Sequence, residues 1–224
     1  PADRPGRDRR HADLAGSCGM TRRIVVLSAG LSQPSSSRLL GDRLAAAAAR
    51  ALRAEGEQVE VEVVELREFA VDLAHQLVTG FPGASLSAVL DRVAAADGVV
   101  AVSPVFNASY SGLFKMFVDA LPVGTLDGVP VLLGATGGSA RHSLVVEHAL
   151  RPLFAYLRAT TTSTGVFAAT EDWASPGELD ARVERAGQEL AVLVAGSGRG
   201  RPAAVDPYDP STFGFARFSE PLSA

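Results

Sequence analysis

Three short segments of the 224-residue chain gather residues able to hold a ligand. The first, residues 28–38, contains Ser28, Gly30, Ser32, Ser35, Ser36, Ser37 and Arg38. Hydroxyls and backbone N–H groups where a helix begins suit a phosphate dianion, because the free N–H groups and the helix dipole both favour negative charge there. Neither G-x-G-x-x-G nor G-x-x-x-x-G-K-[ST] occurs in it, which disfavours a Rossmann dinucleotide loop and a P-loop. The same serines read equally as plain caps of the following helix. The second segment, residues 103–115, offers Ser103, Pro104, Val105, Phe106, Asn107, Ser109, Tyr110 and Ser111, and ends on Lys115, the only lysine in the chain. Backbone amides, an Asn, an aromatic ring and hydroxyls suit a planar ligand. Lys115 reads either as a direct contact or as a side chain snorkelling to water. The third, residues 136–142, holds Thr136, Gly137, Gly138, Ser139, Arg141 and His142. Paired glycines allow a ligand close to the backbone, although a plain turn also accounts for them.

Other chemistries find less support. The one cysteine, Cys18, excludes an intrachain disulfide framework and a Cys-rich zinc site, and four scattered histidines disfavour a metal centre. No G-x-S-x-G elbow supports a serine nucleophile, and no catalytic acid, base or metal ligand is assigned. The 21 basic and 25 acidic residues leave a net charge of -4, unlike a nucleic-acid binder. No apolar run reaches the roughly 18 residues of a membrane span, and no signal-peptide h-region is present. With 47% hydrophobic residues the chain is not globally disordered.

The elements that must position the three segments follow from the apolar pattern. Residues 24–27, 98–102 and 130–134 are continuous apolar runs, as expected of strands buried on both faces. Residues 59–66 alternate Val with Glu, an edge strand, and 160–167 are a β-branched fifth strand. Helices are expected over 39–54, 86–96, 112–121, 144–157 and 176–194, with Pro152 needing accommodation inside the fourth. Residues 69–83 show no periodicity and read as an ordered loop over a site or a flexible lid. Alternating β and α elements predict an α/β three-layer sandwich, a parallel sheet with helices on both faces. Five strands favour the flavodoxin-like order 2-1-3-4-5, in which ligands bind beyond the carboxyl ends of the strands. All three segments lie at such ends.

Residues 1–22 read as a disordered extension, with Met20 as the natural start or else a native arm. Residues 23–197 read as one domain, and 198–224 as a tail in which Phe213, Phe215 and Phe218 either dock on a partner subunit or stay loose. The first 23 residues carry six arginines against three aspartates, so the remainder is more acidic, near -7.

Residues 103–115 resemble the T-P-x-Y-x-x-S-Y-S-G-x-x-K segment of the NAD(P)H-dependent FMN reductases. Ala135, Thr136, Gly137, Gly138, Ser139 and His142 are similar to that family's A-T-G-G-[ST]…H. The resemblance spans about residues 23–195 and is strongest to reductase components of two-component flavin monooxygenases. It implies FMN and NAD(P)H as cofactors, hydride transfer between them, and delivery of reduced flavin to a partner monooxygenase. By the same resemblance Ser28, Ser35, Ser36 and Ser37 would hold the flavin phosphate, with Arg38 nearby. Pro104, Val105, Phe106 and Asn107 would line the isoalloxazine edge, and Ser109 and Tyr110 would shape the loop. Thr136, Gly137, Gly138 and Ser139 would border the pyrimidine side, and Arg141 would meet a flavin or nucleotide phosphate. Phe106 stands where many relatives carry Tyr. His148 would sit either on a π-bulge, which in relatives lies at a tetramer interface, or on an ordinary helix packed at an interface. A homodimer or homotetramer is implied, and the lack of a signal-peptide pattern and of a disulfide framework leads to the expectation of a cytoplasmic protein. The alternatives are a quinone, azo or chromate reductase with tightly bound FMN, and a non-catalytic FMN electron carrier.

Overall fold

Successive side chains of a strand point to opposite faces, so a strand buried on both sides needs apolar residues throughout. The first strand, β1 (Thr21–Ser28), shows the consequence: Val25 and Leu27 enter one core, Ile24 and Val26 the other. The structure is a computed structural model and describes residues 21–197. The expectations for Cys18, for most of the leading extension and for residues 198–224 lie outside the described residues. Thr21 and Arg22, assigned to the extension from the sequence, belong to β1 and pair with Gln58 and Val59.

Beyond β1 come α1 (Ser36–Ala54), β2 (Gln58–Glu65), a 3-10 turn (Leu66–Phe69), α2 (Ala70–Thr79), α3 (Ala84–Ala94) and β3 (Gly98–Phe106). A short β4 (Ser109–Tyr110), α4 (Gly112–Ala120) and β5 (Pro130–Gly137) follow. The chain then runs through a π turn (Val146–Leu150), α5 (Arg151–Tyr156), β6 (Thr160–Thr161), β7 (Val166–Ala169) and α6 (Pro176–Gly196). The parallel sheet has the order β2-β1-β3-β5, with β6 and β7 both pairing on the far side of β5. Helices α1 and α6 cover one face, and α2 to α5 cover the other. This is the expected flavodoxin-like α/β sandwich, with its last strand position shared by two short strands and a small antiparallel β4 added to β3.

Three details depart from the sequence expectations. Residues 69–83 are largely helical, not a loop. The apolar residues of α2 share one side at helical spacing, a pattern the sequence reading missed, yet only Leu73 is buried while Val71, Leu77 and Val78 are exposed. The fifth strand breaks at residues 162–165. Arg151 donates there to the Thr161 hydroxyl (2.9 Å) and to the carbonyls of Thr162 (2.8 Å) and Ser163 (3.0 Å). Glu189 accepts from the Thr164 N–H (2.7 Å) and hydroxyl (2.6 Å). Finally, β3 continues four residues past Val102, into the segment read as a loop. The helix over 144–157 does contain the π turn, closed by a bond from the Arg151 N–H to the Val146 carbonyl. Exposed His148 lies on it. Pro152 follows directly after the π turn, at the start of α5. Among the described residues no helix is long and apolar enough to cross a membrane.

Candidate active site

The carboxyl ends of β1, β3 and β5 are neighbours in the sheet, and the segment beyond each contributes to one cavity of about 340 Å³. Its wall comprises Gly30, Leu31 and Ser32, then Ser35, Ser36 and Ser37, then Pro104, Val105 and Phe106, and finally Thr136, Gly137, Gly138 and Thr170. The volume lies in the range of small-molecule sites, roughly 300–1,000 Å³. No carboxylate, ammonium or guanidinium is among these lining residues.

The first wall is built by the start of α1. Ser35 is its N-cap, and the Ser35 Oγ accepts from the Arg38 N–H (3.2 Å). The Leu39 N–H binds the Ser35 carbonyl (3.0 Å). A helix leaves its first N–H groups without intrahelical partners. Ser36 and Ser37 therefore have backbone donors for a ligand at this wall. Ser36 is exposed, whereas Ser37 is buried and shares a 2.7 Å hydrogen bond with the Thr136 hydroxyl. That bond ties the first turn of α1 to the end of β5. Gly30 is required sterically, because a Cβ there would lie 1.9 Å from the Ser35 Oγ.

The second wall is a β3–β4 hairpin. Asn107 (φ 48°) and Ala108 (φ 67°) form its two-residue turn, both left-handed as a hairpin twist demands. Ser103 supports it from beneath: the Ser103 Oγ accepts from the Ser111 N–H (2.9 Å), and Ser111 caps α4. Phe106 is 46% exposed and presents an apolar ring at the cavity wall. The third wall is the end of β5, where Gly137 backs onto the Phe167 ring and Gly138 has open space beside it.

Of the residues named from sequence, Ser35, Ser36, Ser37, Pro104, Val105, Phe106, Thr136, Gly137 and Gly138 meet in this cavity. Ser28, Asn107, Ser109, Tyr110, Ser139 and Arg141 lie on the same three segments behind or beside it. Ser28 is buried beneath the first loop, and the Ser139 Oγ accepts from the Arg141 N–H and Nε (both 3.3 Å). Arg38 is also outside the wall. Its guanidinium is held by Asp42 (2.8 and 3.0 Å) and Glu65 (2.7 Å), and the Asp42 hydrogen bond first of all raises its pKa. Lys115 pairs with Asp119 at 2.7 Å, the outward alternative, and that hydrogen bond raises its pKa too. Sequence reasoning passed over Thr170, which arrives from beyond β7 and carries no motif.

The wall matches the demands of a phosphate-bearing planar cofactor. Neutral donors cluster at a helix N-terminus, no carboxylate opposes an anion, and an exposed aromatic ring and glycine backbone flank the remainder. The model of the family described as NADPH-dependent FMN reductase matches residues 22–174. The chain belongs to that family. It is 36% identical over 178 residues to an FMN reductase (NADPH) of Pseudomonas aeruginosa, spanning 78% of this chain and 93% of that one. It is 35% identical over 175 residues to the NADH-dependent FMN reductase SfnF of Pseudomonas fluorescens, spanning 76% and 91% respectively. Among solved structures, an oxidoreductase from Corynebacterium diphtheriae superposes with a TM-score of 0.77 at 46% identity, covering 80% of this chain and 99% of that one. Family members named for NADPH and for NADH both stand among these relatives, and the described site carries no signature that selects between the two nucleotides.

Proposed function

We propose that this chain is an NAD(P)H-dependent FMN reductase that supplies reduced flavin to a partner monooxygenase. The observation that carries the reading is the uncharged, donor-lined cavity at the α1 N-terminus, continuous with the β3 and β5 ends. Bound FMN would supply the redox chemistry, accepting hydride from reduced nicotinamide. The chain's own part is binding and orientation. Ser35, Ser36 and Ser37 hold the phosphate with hydroxyls and first-turn N–H groups. The β3 end, through Pro104, Val105 and Phe106, and the backbone at Gly137 and Gly138 flank the ring. Ser28, Arg38, Asn107, Ser109, Tyr110 and Ser139 support these contacts from behind, and Arg141, exposed on the third loop, meets a cofactor phosphate. Backbone dipoles in a partly dry site favour the negative charge that reduction places on the ring. No proton-transfer residue is needed, and no titratable side chain lines the cavity.

Residues 21–197, which take in the whole of β1, form the reductase domain. The protein works in the cytoplasm as a homodimer or homotetramer, with the π turn around His148 at a subunit interface. The test is steady-state oxidation of NADH and NADPH with FMN, FAD or riboflavin as acceptor, together with gel filtration of the flavin-loaded protein. Turnover with FMN and loss of yellow colour on the column are expected of a reductase that releases its flavin. Retained colour with turnover of a quinone or azo acceptor would instead indicate a fixed FMN, and absence of turnover with every flavin refutes the reading.

A further inference from the structure

The residues that hold the phosphate loop in place come from outside it. Between Gly30 and Pro34 the chain is exposed except at Gly30, yet Gly30, Leu31 and Ser32 must keep their places for the cavity to have a first wall. Among the described residues, the side-chain hydrogen bonds reaching 30–34 come from Arg67, on the 3-10 turn after β2. The Arg67 NH1 donates to the Ser32 carbonyl (3.3 Å). With the Gln33 amide turned oxygen-inward, its Oε1 accepts from NH1 (2.9 Å) and from NH2 of the same guanidinium. The Arg67 NH2 also pairs with the Glu65 Oε2 at 2.7 Å, and the other oxygen of that carboxylate takes the Arg38 NH1 at 2.7 Å. Glu65 closes β2 and stands in register with Ser28, the last residue of β1. One carboxylate thus joins the loop, through Arg67, to the first turn of α1, through Arg38.

We propose that Glu65 and Arg67 are positioning residues that preform the phosphate end of the flavin site, acting through Ser32, Gln33 and Arg38; this rests on the FMN reductase reading above. Both side chains are largely buried and neither lines the cavity. Their effect is therefore on where the loop sits, not on the ligand's charge. A planar guanidinium serves because its fixed fork of donors reaches a carboxylate, a carbonyl and an amide together, which a lysine ammonium matches only as a point charge. A preformed loop spares the ligand the entropy of ordering those residues.

Binding rather than turnover tests this. Dissociation constants for FMN and for riboflavin, which lacks the phosphate, are measured by flavin fluorescence on the wild-type protein and on Arg67→Ala, Arg67→Lys and Gln33→Ala. The wild type should prefer FMN. Arg67→Ala should weaken FMN binding about tenfold while riboflavin stays within about twofold, the scale expected for lost charge-assisted hydrogen bonds. Arg67→Lys should recover part of the loss. Gln33 is exposed, so Gln33→Ala leaves the core intact, and it should shift the FMN-to-riboflavin ratio the same way by a smaller factor. No FMN preference in the wild type, a ratio unchanged in Arg67→Ala and Gln33→Ala, or equal weakening of both flavins overturns the proposal. A protein with the expected binding ratios that never oxidises NAD(P)H would leave this clamp standing and overturn the reductase reading alone.

Discussion

Ser36 and Ser37 are adjacent in sequence, yet their surroundings give them different work. Ser36 is exposed at the cavity wall, so Ser36→Ala should weaken FMN by the value of a hydrogen bond to a charged group, about 1.5–3 kcal/mol, with little change in thermal stability. Ser37 is buried against Thr136. Ser37→Ala strands the Thr136 hydroxyl in the interior and should lower unfolding free energy by about 1–3 kcal/mol, measured by urea titration. The sequence placed both serines at the helix start but did not distinguish them, because the partner lies 99 positions away. Gly30→Ala should move Ser35 out of its capping position, since the new Cβ would overlap the Ser35 Oγ. A cap is worth about 0.5–2 kcal/mol, and FMN affinity should fall with it. Arg38 was legible as a cation near a phosphate loop. Its pairing with Asp42 is the local i, i+4 kind, but its engagement by Glu65 was hidden, because Glu65 reaches it only through strand pairing.

At the scale of elements, the strands with continuous apolar runs were readable because burial on both faces leaves no polar position. Helix α2 carried the signal too, its apolar residues sharing one side at helical spacing, but most of that side is exposed and the segment passed as a loop. The break in the last strand was also hidden. Thr160 to Phe167 is β-branched enough to read as one strand, and what divides it is a set of hydrogen bonds donated by Arg151 and accepted by Glu189, on two different helices. Arg151→Ala leaves the Thr162 and Ser163 carbonyls without that donor, and it should lower the melting temperature, consistent with a loss of roughly 2–4 kcal/mol. Gly165 is where β7 meets the π turn, and a Cβ there would lie 2.3 Å from the Val146 Cγ1. Gly165→Ala should destabilise by about 1–3 kcal/mol through overpacking, seen in the same melt. The π turn also carries a pH signature. Hydrogen bonding from Arg151, ahead of any other cause, holds the Glu147 carboxyl below its ordinary value. The pair therefore adds stability above the unfolded carboxyl's pKa and loses it as pH falls through the lower folded value. Because the pair is partly exposed, the contribution is small and salt-sensitive. Glu147→Gln should flatten the acid limb of the stability–pH curve slightly, most visibly at low ionic strength.

At the scale of the molecule, the sheet order alone brings the three ligand-holding segments together, because β1, β3 and β5 are neighbours and their carboxyl ends face the same side. The position of the site was therefore legible once the alternation of strands and helices was read. Its final wall was not, because Thr170 comes from a segment without a motif. A protein trimmed to residues 21–197 should keep the flavin-reducing activity of the full chain, and loss of activity with retained folding would assign a role to the segments outside it. The central claim is that a phosphate cradle at the start of α1 holds FMN for reduction by NAD(P)H. Its most direct test is the steady-state rate of NAD(P)H oxidation against FMN concentration, for wild type and Ser36→Ala. The account predicts saturable turnover in the wild type, a KM for FMN raised roughly tenfold or more in the variant, and a kcat close to unchanged. No turnover in the wild type, or a KM that does not move, would contradict it.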